Sequence, residues 1–173
     1  MLVFDTGPLS HFAQQNWLGL LKAVVGDRFA VIPDVVVDEL RAGASRDTRL
    51  EAVLSATWIE HRELRTAEET TEFARFAKLL VAKDRNRGEA AVLALAAVTG
   101  GVAVIDDSAA RQAAKRNGIR MRPTLALLCD AIRSELLTVR LAAAVADDLI
   151  ASSYRLPFPS GGFEKWATDN GLV

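Results

Sequence analysis

The chain has 173 residues, half hydrophobic and a quarter charged, which is the composition of one folded domain with a substantial core and excludes a disordered chain. Its formal net charge of -1 excludes a uniformly basic nucleic-acid binder, so any polyanion has to be held by a local basic patch, by metal ions or by both. A single cysteine, Cys129, excludes an internal disulfide and a cysteine-rich zinc site. No apolar run approaches the roughly 18–20 residues of a membrane span and the start lacks a secretory layout, so the expectation is a cytoplasmic protein.

In chain order, Leu2-Val3-Phe4 reads as a buried strand that ends at Asp5-Thr6-Gly7-Pro8, where Pro8 suits the first turn of a helix,. Phe29 to Ile32 is a second strand, stopped by Pro33, and Asp34 to Arg41 a short helix closed by Gly43. Trp58-Ile59 suggests a minor strand. Thr66 to Val81 carries Phe73, Phe76, Ala77 and Leu80 at helical spacing,. Gly88 to Val98 is apolar nearly all round, as in a helix buried at the centre of a domain,. Val102 to Ile105 is the next strand, Ser108 to Asn117 a helix ended by Gly118, Ile119 to Met121 a short strand, and Pro123 opens a helix running to Arg133,. Thr138 to Ser152 reads as a last amphipathic helix. Strands alternating with helices, with near-continuous apolar strands, predict a three-layer α/β/α sandwich around a central, mostly parallel sheet. Residues 1–152 form that domain, and 153–173 an irregular, aromatic-rich tail.

Acidic residues recur at equivalent places in this layout. Asp5 directly follows the first strand and Asp106-Asp107 follows Val102 to Ile105, so both reach the carboxyl edge of a parallel sheet, where ligands bind. Glu39 lies three and four residues after Val36 and Val35, on the apolar side of its helix, whereas Asp38 shares the polar side with Asp34,. Glu89 is carried towards the interior by the apolar helix that follows it, although Asn86-Arg87-Gly88-Glu89 also matches a capping box,. Asp107 can equally cap the helix beginning at Ser108. That favours Asp106 as the single better ligand, with Asp107 a second or water-mediated one. Gathered carboxylates repel and take up protons unless a cation is present, and oxygen donors without histidine or cysteine suit Mg²⁺ or Mn²⁺. His11 and His61 show no ligand spacing.

Val3-Phe4-Asp5-Thr6-Gly7-Pro8-Leu9 resembles the opening strand of PIN-domain nucleases. Arg87-Gly88-Glu89-Ala90-Ala91 resembles their central acidic helix, and Val104-Ile105-Asp106-Asp107-Ser108-Ala109-Ala110-Arg111 their third acidic segment. Ile32-Pro33 through Glu39-Leu40 is similar to the segment with their second carboxylate, and the four parts stand in the family's order between about Met1 and Arg133,. The VapC-like toxins of prokaryotic toxin–antitoxin pairs are the group most resembled. The resemblance implies a Rossmann-like PIN fold and Mg²⁺ or Mn²⁺ on Asp5, Glu89 and Asp106 or Asp107. It further implies a ribonuclease for single-stranded RNA, a homodimer and a small inhibitory antitoxin. Many relatives carry Thr-x-Asp where this chain has Ile105-Asp106-Asp107; that alignment favours Asp107, and a subgroup with a paired acidic motif favours Asp106.

On this reading Asp5, Glu39, Glu89, Asp106 and Asp107 are the catalytic set. Thr6 and Ser10 are candidates for holding the scissile phosphate or the waters of the metal, and equally for capping their helix. Arg111, Lys115, Arg116, Arg120 and Arg122 form a run with no acid between Ser108 and Asp130, and Lys83, Arg85 and Arg87 precede Glu89. Arg111, nearest the strand end, is the expected phosphate contact. The competing expectation is a degenerate PIN module that binds RNA or a protein without cutting.

Overall fold

The protein is described by a computed structural model over residues 1–80 and 86–172; Val81, Lys83 and Arg85 of the sequence reading lie outside them. The chain begins with β1 (Leu2–Phe4), α1 (Thr6–Gln14), α2 (Leu18–Val25), β2 (Ala30–Pro33) and α3 (Asp34–Ala44). A 3-10 turn (Thr48–Leu50) leads into α4 (Glu51–Leu54), β3 (Ile59–Arg62) and α5 (Ala67–Leu80). Then come α6 (Arg87–Thr99), β4 (Val102–Val104), α7 (Ser108–Arg116), β5 (Met121–Arg122), α8 (Thr124–Arg133), α9 (Val139–Ala151) and α10 (Phe163–Asp169). Among the described residues no helix is long and apolar enough to cross a membrane.

The five strands form one sheet in the order β3-β2-β1-β4-β5, and every pairing is parallel. β1 and β2 are buried at every position, as expected where helices cover both faces of a parallel sheet. The edge strand β3 buries only Ile59. α6 supplies the centre: Ala90 to Ala96 are all buried, and the helix packs on β1, β2 and β4 and against α3, α5 and α7. α8 packs against α2 and α9. The architecture is the α/β/α sandwich read from the sequence.

The differences are local. The minor strand starts at Ile59 and runs to Arg62, beyond the expected Trp58-Ile59. The last strand falls on Met121–Arg122, not on Ile119 to Met121. Leu18–Val25 and Glu51–Leu54 are helices that the sequence reading passed over. The C-terminal segment is not wholly irregular, because α10 packs on α9. Phe163 and Ala167 bury against Ala142 and Ala146 in a small second core.

The topology also creates a special place in the sheet. From β1 the chain moves outward through β2 to β3, then returns to the other side of β1 to lay down β4 and β5. The order therefore reverses between β1 and β4, whose register pairs Phe4 with Val104. Loops leaving the carboxyl ends of two such strands diverge to opposite faces and leave a crevice between them.

Candidate active site

Asp5 and the Asp106-Asp107 pair leave β1 and β4 at that crevice, and the Asp5 N–H donates to the Val104 carbonyl at 3.1 Å. Asp5 is the N-cap of α1: Oδ2 accepts from the Gly7 N–H at 3.5 Å. Its other oxygen, Oδ1, is buried and accepts nothing from the described residues. Burial, followed by the charges of Glu89 and Glu39, holds the Asp5 carboxyl well above the ordinary carboxylate range,.

Glu39 arrives from α3. Its side chain is half-buried, while Asp38 faces solvent and pairs with Arg41 at 3.3 Å, so the helix spacing identified the inward carboxylate. Oε2 accepts the Thr6 hydroxyl and Oε1 accepts the Gly88 N–H at 3.1 Å. Three elements thus meet on one carboxylate: the first residue of α1, the body of α3 and the start of α6. A Cβ on Gly88 would stand 2.6 Å from Glu39 Oε2, closer than real Cβ contacts come, so a side chain here would push the Glu39 carboxylate from its place.

Glu89 enters one residue later. The capping box is not formed: Asn86 has φ 65° and makes no side-chain cap; its amide donates instead to Leu80 O at 3.4 Å. The Glu89 carboxylate is therefore left to the crevice. Burial pushes its pKa up, and the charges of Glu39 and Asp107 add to that, against a backbone hydrogen bond that lowers it.

The two consecutive aspartates part company. Asp106 is committed to α8: Oδ1 accepts the Thr124 N–H at 2.9 Å and Oδ2 the Thr124 hydroxyl at 2.6 Å. Asp107 caps α7, accepting the Ala110 N–H at 2.8 Å, and it is the one whose charge reaches Glu89. Among the described residues, no three histidine, cysteine, aspartate or glutamate side chains already form a cage for one ion. What fits a divalent cation is the donor chemistry. The charges of Glu39 and Glu89 help to raise the Asp5 pKa, Asp5 has a buried oxygen without a partner among the described residues, and all three are hard oxygen ligands,.

Of the substrate-contact candidates, Thr6 and Ser10 line a cavity of about 310 Å³ together with Glu39 and Arg46. Arg111 and Arg122 border a second cleft with Asp106. Arg120 is elsewhere, donating to Gly100 O before β4, at the opposite edge of the sheet. Lys115, Arg116 and Arg87 are exposed. His11 is structural: Nδ1 is 2.9 Å from Ser152 Oγ, the ring meets Tyr154 edge-on, and burial lowers its pKa. Cys129 is buried, as expected.

Several participants carry no local sequence signal. Gly88 was visible only as part of Arg87-Gly88-Glu89, and Thr124 binds Asp106 from 18 positions away. Asp34, assigned to the polar side of α3, has a buried Oδ1 without a partner among the described residues.

No curated protein matches the chain. A PIN-domain family profile matches residues 1–158, most of the chain and all of the sheet and crevice. PIN domains are generally nucleases. The chain is a member of the PIN-domain family.

Proposed function

We propose that this protein is a divalent-metal-dependent endoribonuclease that hydrolyses phosphodiester bonds of single-stranded RNA. The observation that carries the reading is the carboxylate group at the β1–β4 switch point: buried Asp5, whose Oδ1 has no partner among the described residues, flanked by the half-buried Glu39 and Glu89. Mg²⁺ or Mn²⁺ would be held by Asp5, Glu89 and Asp107, with Asp106 left to anchor α8. When bound, such an ion supplies Lewis acidity towards a phosphate and towards water.

The remaining work falls to side chains of the chain itself. Asp5 holds a proton at pH values where a free aspartate has lost it. Thr6 and the Gly88 N–H fix the Glu39 carboxylate and so orient it across the crevice. Arg111, on the first turns of α7, presents a planar guanidinium beside Asp106 and suits a phosphate oxygen of the strand,. In the reaction water adds to phosphorus and the bond to the leaving sugar oxygen breaks, giving one phosphate monoester and one hydroxyl end.

The likeness to VapC-like toxins extends the reading to a cytoplasmic homodimeric toxin restrained by a small antitoxin. Growth arrest on expression, relieved by the product of an adjacent gene, tests that part separately. A second reading, a PIN module that binds without cutting, is favoured by the capping roles of Asp106 and Asp107 and by the lack of a ready-made cage among the described residues. One experiment separates the two. Purified protein is incubated with single-stranded RNA in Mn²⁺, Mg²⁺ or EDTA, beside Asp5→Asn. Cleavage in the metals alone, lost in the variant, is expected. Cleavage that survives EDTA or the substitution overturns the metal-nuclease mechanism, and intact RNA throughout favours the binding module.

A further inference from the structure

The C-terminal segment does more than cover its own core. Together with the start of α8 it walls a cleft of about 730 Å³, within the roughly 300–1,000 Å³ typical of ligand sites,. Four arginines line it: Arg111 from α7, Arg122 from β5, Arg133 from α8 and Arg155 from the tail. Among the described residues the only lining carboxylate is Asp106, and it is already bound to Thr124. Asp130 sits behind the wall, 3.4 Å from Arg122 and 3.2 Å from Arg133. Four cations against two carboxylates leave the cleft positive in a chain whose formal net charge is -1. Among the described residues, Arg111 and Arg155 make no ion pair.

The cleft also carries aromatic surface. Trp166 borders it, held by Phe158 at 5.2 Å and Phe163 at 6.1 Å between ring centroids. Tyr154 lines it as well, and its hydroxyl is buried with no hydrogen-bond partner among the described residues. Guanidinium groups pair with phosphate in a planar, bidentate way, and bases of single strands stack on aromatic rings. An acidic peptide would use the arginines but has no need of the ring. Asp106 borders the cleft and its neighbour Asp107 lies within electrostatic reach of Glu89, so the cleft opens directly beside the carboxylates.

We infer that this cleft is a nucleotide subsite, taking a backbone phosphate of the single strand on Arg111, Arg133 and Arg155 and an unstacked base on Trp166. The inference rests on the proposed function for the identity of the strand. It gives the tail a role in substrate binding that the carboxylate crevice does not need.

The test is fluorescence anisotropy of a fluorescein-labelled ten-nucleotide oligouridylate in EDTA, where binding is read without cleavage, over a range of KCl concentrations. The full chain is compared with Arg133→Ala, Arg155→Ala, Trp166→Ala, Trp166→Phe and, as a charge control remote from the cleft, Lys22→Ala. Each cleft arginine variant is expected to weaken binding and to reduce the salt slope of log K, by at most roughly 0.7, the value for the one phosphate contact that the arginines share. Trp166→Ala should weaken binding roughly 5- to 100-fold with the slope unchanged, and Trp166→Phe should restore most of it. Arg155 is exposed, so its variant keeps the test valid even if loss of Trp166 loosens the tail. Binding of the arginine variants equal to that of Lys22→Ala overturns the proposal. So does failure of the oligouridylate to bind, or arginine-dependent binding of a labelled deca-glutamate in its place. Arginine-dependent RNA binding without cleavage in any metal would remove the nuclease reading and leave the subsite standing. Cleavage with a KM indifferent to these residues would do the reverse.

Discussion

Asp5 is the residue on which the site turns, and its protonation sets a measurable sign. The folded, metal-free protein holds the Asp5 proton at pH values where an unfolded aspartate, near 3.8, has released it. Between those two values the folded state binds more protons than the unfolded one, so this group's effect on stability becomes less favourable as pH rises through the window. Glu89 adds the same sign from 4.5 upward. Asp47, lowered to about 2 by Arg49, and Glu69 act in the opposite direction, and they cancel when wild type is compared with Asp5→Asn. In EDTA the variant should therefore gain on wild type as pH climbs above 3.8, by roughly 2–4 °C in Tm for each kcal/mol relieved. Melting curves whose separation does not change with pH would show that Asp5 is an ordinary ionised cap. At this scale the sequence was informative wherever the signal was local. Glu39 was separable from Asp38 by helix face alone. The roles of Asp106 and Asp107 were not, because Thr124, which claims Asp106, follows a helix and a strand later.

At the scale of elements, one capping box stood where it was not sought. Asn86 to Glu89 matched the pattern but is not one, since Asn86 has φ 65°, caps nothing with its side chain and donates its amide to Leu80 O. The box that forms is Thr66 to Glu69 at the head of α5: the Thr66 hydroxyl oxygen accepts the Glu69 N–H at 3.1 Å and Glu69 Oε2 accepts the Thr66 N–H at 2.9 Å,. Glu69 also accepts from the Arg65 N–H at 3.0 Å and from Arg62 of β3 at 2.6 Å. These bonds, the Thr66 backbone first, hold its pKa below the ordinary glutamate value although it is 1 % exposed. Glu69→Ala should cost about 2–3 kcal/mol, the sum of a cap and a charged hydrogen bond, and lower Tm by roughly 4–12 °C. A loss no greater than that of an exposed glutamate such as Glu68 would show the box to be ornamental. The strands were legible because buried parallel strands are short unbroken apolar runs. α2 was missed because the eight residues of Leu18–Val25 make little more than two turns and no side-chain cap marks their start,. α10 was missed because its seven residues are too few to show a period behind the prolines and glycines that precede them.

For the whole molecule, the strand order decides which residues can meet, and it is the order that no local pattern encodes. Alternating elements imply a parallel sheet, but the reversal at β1 is what sets the carboxyl ends of β1 and β4, and so Asp5 and the Asp106-Asp107 pair, at one crevice. Burial and neighbouring charge disfavour the ionised forms of Asp5 and Glu89, and on the proposed function a divalent cation would offset that cost. Metal binding should therefore report on the entire domain. A ligand that binds only the folded state at a hundred times its Kd adds about 2.7 kcal/mol, a rise in Tm of roughly 5–11 °C for a domain of this size. Mn²⁺ or Mg²⁺ should produce such a rise in wild type, EDTA should reverse it, and Asp5→Asn should abolish it. Because the cation must displace the proton that burial keeps on Asp5, the rise should also grow as pH increases, as metal affinity does when ligands must deprotonate. Equal shifts in wild type and Asp5→Asn, or a shift independent of pH, would place any metal binding outside the crevice and leave its carboxylates without a cation to explain them.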